Sequence, residues 1–341
     1  MPLSIDIVVA LAALAIVSPQ NGETVSVDAP GKPVQRPVRL AWANDDGNGE
    51  GVTILAVKPE GGTREIFSIT NATEAYITNL ELGRRYIWGV VPEEGGQSVT
   101  AAFTANGSPP RFLRVDGLGN MRDLGGWMGL GGRRVRQGMI FRSAGLRASS
   151  VRKGGSAFAP LYQPGETNVT AAALEYMRGE FGIKTDMELR SRDETVFMDA
   201  SLLGPDVALV KVPFPSGAAI DDIVRGREPF IKIFRRFLDA ESYPVLFHCA
   251  DGCDRTGTLA LLLSGLLGVG EEDLRRDWEA SGLATGRKPE AGGKLDSLIG
   301  YLHSVGGRDI TECCEAFAKG CGVSDDEIAA FRAIMLEGGA G

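Results

Sequence analysis

At Asn106-Gly107-Ser108-Pro109-Pro110 the pattern of the chain changes, and this break constrains the fold more than any other stretch. Gly and Ser loosen a backbone and paired prolines cannot continue a strand ladder, so residues 106–110 read as a linker between two folding units. Before it, residues 38–42, 52–57 and 86–91 are rich in β-branched, aromatic and aliphatic side chains. Asp46-Gly47, Gly61-Gly62 and Gly95-Gly96 punctuate them as turns without a helical period, so residues 18–105 predict an all-β sandwich. After it, from residue 111 to 341, strand patterns at 183–189, 207–212 and 245–248 alternate with helical patterns at 171–181, 230–238 and 256–267. That alternation predicts an α/β domain with a central, mostly parallel sheet flanked by helices. A chain of 341 residues is long enough for both units.

Residues 76–88 carry Leu82, then Gly83 in a turn, then Tyr86 and Trp88. This resembles the late-strand signature of fibronectin type III domains, in which the Tyr hydroxyl ties a corner together. The resemblance implies that Trp42 is the buried Trp of an earlier strand. It also implies a module that meets a protein or carbohydrate partner and carries no catalysis.

Residues 7–17 form an apolar run too short for the roughly 20 residues of a membrane-spanning helix, so no integral span is expected. The run has the length of a signal-peptide core, with small-residue steps at Ala10-Leu11-Ala12 and Ala13-Leu14-Ala15. No Lys or Arg precedes it and Asp6 interrupts its start, so residues 1–17 read either as a signal remnant or as a first strand. Export is favoured over a cytoplasmic location.

The chain has 36 Lys plus Arg against 44 Asp plus Glu, a formal charge of -8, which has the wrong sign for a nucleic-acid coat. An anionic ligand must be met locally. Residues 111–153 hold ten basic and two acidic residues, either a solvated face or a funnel that concentrates anions. Five Cys and two His leave little for a zinc site, which needs about four ligands at tight spacing, and an odd Cys count leaves at least one thiol unpaired. No metal and no cofactor are expected.

The segment that carries chemistry is His248-Cys249-Ala250-Asp251-Gly252-Cys253-Asp254-Arg255-Thr256-Gly257, between a predicted strand and a predicted helix. A loop of this length can curl its backbone N–H groups inward, and the following helix adds the positive end of its dipole, which together cradle a tetrahedral dianion. Ala250, Asp251, Gly252 and Cys253 would line that cradle. The same field favours thiolate over thiol, which makes Cys249 a nucleophile at neutral pH. Arg255 can grip two phosphoryl oxygens with its planar fork, more strongly as charge spreads in the transition state. The Thr256 hydroxyl can donate to the Cys249 sulfur, and His248 orders the loop.

His-Cys-x5-Arg-Thr-Gly resembles the phosphate-binding signature of the protein tyrosine phosphatase superfamily, and the Asp-Arg-Thr-Gly ending resembles its bacterial atypical branch. Asn120-Met121-Arg122-Asp123-Leu124-Gly125-Gly126, Phe141-Arg142-Ser143 and Asp186-Met187-Glu188-Leu189-Arg190-Ser191 with Glu194 are similar to further motifs of that branch, in order and spacing. The resemblance runs from residue 111 to a C-terminal helix at 325–336. It implies that Asn120 and Arg142 face the substrate while Arg122 and Asp123 hold the loop.

Two departures bear on substrate and mechanism. Members with lipid activity often carry Lys before the loop Asp, where this chain has Cys253. The mobile Trp-Pro-Asp acid of other tyrosine phosphatases is replaced by Phe214-Pro215-Ser216. The resemblance then points to Asp254 as general acid, with Asp221 and Asp222 as alternatives. The expected function is hydrolysis of phosphomonoesters, chiefly protein phosphotyrosine, through a cysteinyl-phosphate. A phosphoinositide or inositol-phosphate phosphatase and a non-catalytic phosphate-binding or adhesion module are the other readings.

Overall fold

The computed structural model describes residues 14–43, 52–57, 63–69, 72–92, 97–148, 166–215, 224–286 and 293–338, with 52–57 and 63–69 as backbone only. Asp221 and Asp222, the apolar run up to residue 13 and the three glycine turns named above lie outside the described residues, as does most of the stretch 148–167, whose length and Gly- and Ser-rich sequence read as a candidate substrate-side lid. The chain divides into two compact units at Gly107/Ser108, with residues 29–35 grouping with the second.

Among the described residues the first unit contains eight strands: β1 (Ala15–Ser18), β2 (Glu23–Ser26), β3 (Val38–Ala43), β4 (Val52–Val57), β5 (Thr63–Ile69), β6 (Glu74–Ile77), β7 (Arg84–Pro92) and β8 (Val99–Asn106). They form a three-stranded sheet, β1-β3-β6, and a five-stranded sheet, β2-β8-β7-β4-β5. Side chains alternate across a strand, so Val38, Leu40 and Trp42 of the first sheet and Tyr86, Trp88 and Val90 of the second are buried in one shared core. The Glu81 backbone N–H donates to the Tyr86 hydroxyl at 2.7 Å, which fixes the turn through Gly83.

Among the described residues the second unit is built on six strands: β9 (Arg111–Phe112), β10 (Arg122–Asp123), β11 (Ile140–Ser143), β12 (Thr185–Glu188), β13 (Ala208–Lys211) and β14 (Val245–His248). Their spatial order is β13-β12-β14-β11-β10-β9. The pairs β13/β12, β12/β14 and β14/β11 are parallel, and β10 pairs antiparallel with both β11 and β9, so the sheet is mostly parallel, as the alternation predicts. Among the described residues seven α-helices accompany it: α1 (Ala171–Gly179), α2 (Arg227–Arg236), α3 (Asp254–Leu266), α4 (Glu271–Thr285), α5 (Lys294–Val305), α6 (Ile310–Gly320) and α7 (Asp325–Met335).

Both faces of this sheet are covered, which is why its central strands are apolar throughout. Val245 and Phe247 point into a core shared with α2, α3, α5, α6 and α7, while Leu246 points into a second core shared with α1. Helix α3 lies at the centre, every residue from Thr256 to Leu266 buried. Its leucines each contribute about 1.5–3 kcal/mol on burial, so the element that follows the loop is among the best anchored in the fold. Among the described residues no helix is long and apolar enough to cross a membrane.

Candidate active site

Residues 249–253 connect the buried end of β14 to the first turn of α3. Cys249 is 3% exposed and carries a free thiol, as does buried Cys253. The backbone between them is held from outside by three donors: Gly145 N–H reaches the Ala250 carbonyl at 2.9 Å, Asn120 Nδ2 the Asp251 carbonyl at 3.0 Å, and Arg142 Nη2 the Gly252 carbonyl at 2.7 Å. In a planar trans peptide the C=O and the next N–H point in opposite directions. The amides of Asp251, Gly252 and Cys253 are therefore turned to the side away from those donors. Gly252 makes this possible with φ 69°, and a Cβ there would lie 2.4 Å from the Ser143 carbonyl oxygen.

Arg255 sits in the first turn of α3 and is gripped by Glu194, Nη1 to Oε2 at 2.7 Å and Nη2 to Oε1 at 3.1 Å. Glu194 Oε2 also accepts from Ser191 N–H at 3.0 Å and Ser191 Oγ at 2.9 Å. Burial pushes the Glu194 carboxyl up, but Arg255 and Ser191 outweigh it and hold the pKa at about 2. Burial would lower the Arg255 pKa, yet Glu194 and the neighbouring Cys249 sulfur raise it.

Beneath the loop, Asp277 of α4 accepts from Arg122 Nε at 2.8 Å and Arg142 Nη1 at 2.5 Å. Arg122 also donates to the Asn120 side-chain oxygen, to the Asp277 carbonyl at 2.8 Å and to Ser281 Oγ at 3.0 Å. Burial would raise the Asp277 carboxyl, and the two guanidiniums outweigh it and hold it below the usual range. Burial and the like charge of Arg122 bring Arg142 down to about 10.

His248 is fully buried, Nε2 lying 2.7 Å from Asp186 and Nδ1 3.6 Å from Glu188. Burial lowers its pKa, but the two carboxylates outweigh that and raise it above the usual value. Glu188 in turn receives Arg190 Nη2 at 2.7 Å. At the rim, Asp254 Oδ2 accepts from Lys294 Nζ, on the first residue of α5, at 2.6 Å.

The loop residues Cys249, Ala250, Asp251, Gly252, Cys253, Asp254 and Arg255 thus form one continuous turn, with Asn120 and Arg142 bound to its outer carbonyls. Asp123 lies elsewhere in function: it accepts from Arg111, Gly125 N–H and Gly138 N–H, so it orders the turn after β10. Thr256 Oγ1 is buried and makes no hydrogen bond, so the expected donation to the Cys249 sulfur is not formed. Of the ten basic residues in 111–153, Arg111, Arg122 and Arg142 are buried in ion pairs and not on a solvated funnel. The positions of Glu194, Asp277 and Lys294 in the site were not anticipated. Glu194 stood in a recognisable motif, while nothing local in α4 or α5 marks Asp277 or Lys294.

Residues 113–157 and 165–297, more than half of the chain, match the model of a family described as the tyrosine phosphatase family. The chain belongs to the tyrosine phosphatase family. Its relatives include a Cupriavidus necator protein named "Putative tyrosine-protein phosphatase", 33% identical over 48% of this chain and 60% of that protein, so the chain spans less than two thirds of this relative's length. A Nostoc commune protein named "Tyrosine-protein phosphatase" is 26% identical over 59% of this chain and 81% of that one. Among solved structures, the core catalytic domain of the PP-IP phosphatase SIW14 from S. cerevisiae matches 47% of this chain and 78% of its own at 16% identity, with a TM-score of 0.29 that supports no argument.

Proposed function

We propose that this tyrosine phosphatase family member hydrolyses phosphomonoesters, with protein phosphotyrosine as its principal substrate, through a cysteinyl-phosphate intermediate. The observation that carries this reading is the outward hold on the Ala250, Asp251 and Gly252 carbonyls, which turns consecutive amides to one side of a loop that begins at Cys249 and ends at Arg255. Such a nest, continued by a helix N-terminus, suits a dianion.

The Cys249 thiolate attacks phosphorus in line, the phosphorus–oxygen bond breaks, and Asp254 gives its proton to the leaving oxygen. Arg255 has five N–H donors and spends one from each Nη on Glu194, so others remain to hold phosphoryl oxygens. In the second step the Asp254 carboxylate takes a proton from water, water oxygen bonds to phosphorus, and the phosphorus–sulfur bond breaks to return thiolate and inorganic phosphate. Lys294, 42% exposed beside Asp254, supports a second substrate class, phosphoinositides or inositol phosphates, because a further phosphate could meet it at the rim. For the first unit, the two sheets around one core and the Tyr86–Glu81 bond support a fibronectin type III-like sandwich that engages a protein or carbohydrate partner.

The test is a panel of phosphotyrosine peptide, aryl phosphate and inositol lipid, with and without chelator. Hydrolysis of the peptide that survives chelator and disappears in Cys249→Ser and Arg255→Ala is expected. Retained turnover in Cys249→Ser sinks the mechanism, and preference for the lipid replaces the substrate class.

A further inference from the structure

We propose that Asp277, on α4, is the positioning residue that sets the anion affinity of the 249–255 loop. The proposal rests on reading that loop as an oxyanion site, and it concerns a carboxylate that touches neither the nucleophile nor, in that reading, the substrate.

Each oxygen of Asp277 holds a different guanidinium, Oδ1 that of Arg122 and Oδ2 that of Arg142. Each of those guanidiniums leads on to one loop carbonyl. Arg142 reaches the Gly252 oxygen directly through Nη2. Arg122 donates to the side-chain oxygen of Asn120, whose Nδ2 donates to the Asp251 oxygen. Two of the three outward-held carbonyls therefore depend on one carboxylate. Ser281, one turn further along α4, accepts a further N–H of Arg122 and steadies the branch through Asn120.

Charge gives the arrangement a second consequence. Arg122 and Arg142 are both fully buried and repel each other, and a single carboxylate between them leaves the trio with one unit of positive charge beneath the loop. An anion seated on the other side of the loop is attracted by that excess, and in a desolvated setting the attraction is poorly screened. Neutralising Asp277 raises that positive excess, which by itself would favour an anion, but it leaves the repulsion between the arginines uncompensated, and this relaxes by moving the groups that hold Asp251 and Gly252, an effect we take to dominate. The amides of Gly252 and Cys253 then lose their common direction, and donors misaligned by about an ångström lose much of their effect on a bound oxyanion.

The experiment is calorimetric titration of the full chain with inorganic phosphate, alongside kcat and KM for an aryl phosphate. The variants are Asp277→Asn, Asp277→Glu and Arg142→Lys, with Leu302→Ala as a control that destabilises the helical core away from the loop. The expected result is a tenfold or greater loss of phosphate affinity in Asp277→Asn, partial recovery in Asp277→Glu, and wild-type affinity in Leu302→Ala despite a lowered melting temperature. Affinity within twofold of wild type in folded Asp277→Asn overturns the proposal, as does an equal loss in Leu302→Ala. Should Asp277→Asn not fold, Arg142→Lys decides, because its compact ammonium keeps a charge near Asp277 and cannot fork to the Gly252 carbonyl. A tenfold loss there supports the proposal and unchanged affinity overturns it. A wild type that binds phosphate and turns over no aryl ester defeats the phosphatase reading alone, and one that binds no phosphate defeats both.

Discussion

Glu194 holds Arg255 through both terminal nitrogens of its guanidinium, at 2.7 and 3.1 Å. The fork is thereby aimed in advance, and a carboxylate fixed by Ser191 does the aiming. Replacing it by Gln keeps the size and removes the charge. Glu194→Gln is expected to lower kcat/KM for an aryl phosphate about 10- to 100-fold, the scale of a misplaced positioning contact. The Glu194 pKa is depressed to about 2, so the pair's contribution is complete above about 4.5 and is lost as pH falls towards 2. Steady-state profiles of wild type from pH 4.5 to 8 should therefore show no limb that vanishes in Glu194→Gln.

His248 carries a raised pKa because Asp186 and Glu188 face it in the interior. Its stabilising contribution is full below about 6.5 and fades as pH rises through the raised folded value. His248→Asn leaves two buried carboxylates without that partner, at a cost of about 3–5 kcal/mol. For a unit of this size the melting temperature should drop by roughly 6–20 °C. Thermal scans at several pH values check both statements: the gap between wild type and variant should be widest near pH 6 and narrow in alkali.

Gly252 has a positive φ and no room for a side chain against the Ser143 carbonyl. Gly252→Ala must move the loop or strand β11, and β11 is tied to β14 over four residues. The loop is the softer partner. Activity is expected to fall by about 100-fold or more, the effect of losing an oxyanion donor, while the melting temperature changes by only a few degrees. Parallel assays of kcat and unfolding distinguish this from general destabilisation.

Asp254 and Lys294 meet at 2.6 Å on the rim. If Asp254 protonates the leaving group, Asp254→Asn should slow phenyl phosphate by about 100-fold or more and nitrophenyl phosphate far less, since the latter departs without a proton. Lys294→Met removes the ammonium from Oδ2 and should give a smaller loss with the same leaving-group dependence. Equal losses on both esters would remove Asp254 from the acid role.

The loop and the sheet that presents it were legible because their signals are local. Val245-Leu246-Phe247-His248 is apolar enough to be a central strand, the ten residues that follow carry their chemistry in sequence, and helix α3 is apolar on all sides. The polar network was legible in part. Arg122, Arg142 and Asn120 stood out as motif residues, yet their direction did not: the structure aims Asn120 and Arg142 at loop carbonyls from behind, with Arg122 bracing Asn120. Asp277 lies on α4 among other acidic residues, 155 and 135 positions from the arginines it holds. No periodicity or spacing encodes such a contact, because it depends on where α4 crosses α3, with Trp278 packed close against Gly257.

That distance along the chain has a bearing on biosynthesis. Contacts of high sequence separation form late, since long loops must close before they are rewarded. During synthesis the nucleophile, the glycine turn and Arg255 leave the ribosome before Asp277 does. A nascent chain at that stage holds two arginines destined for the interior and no counter-ion for them. Catalytic competence should therefore not emerge before α4 is made and the later helices close the core, and chains truncated ahead of residue 277 should remain inert however complete their signature loop.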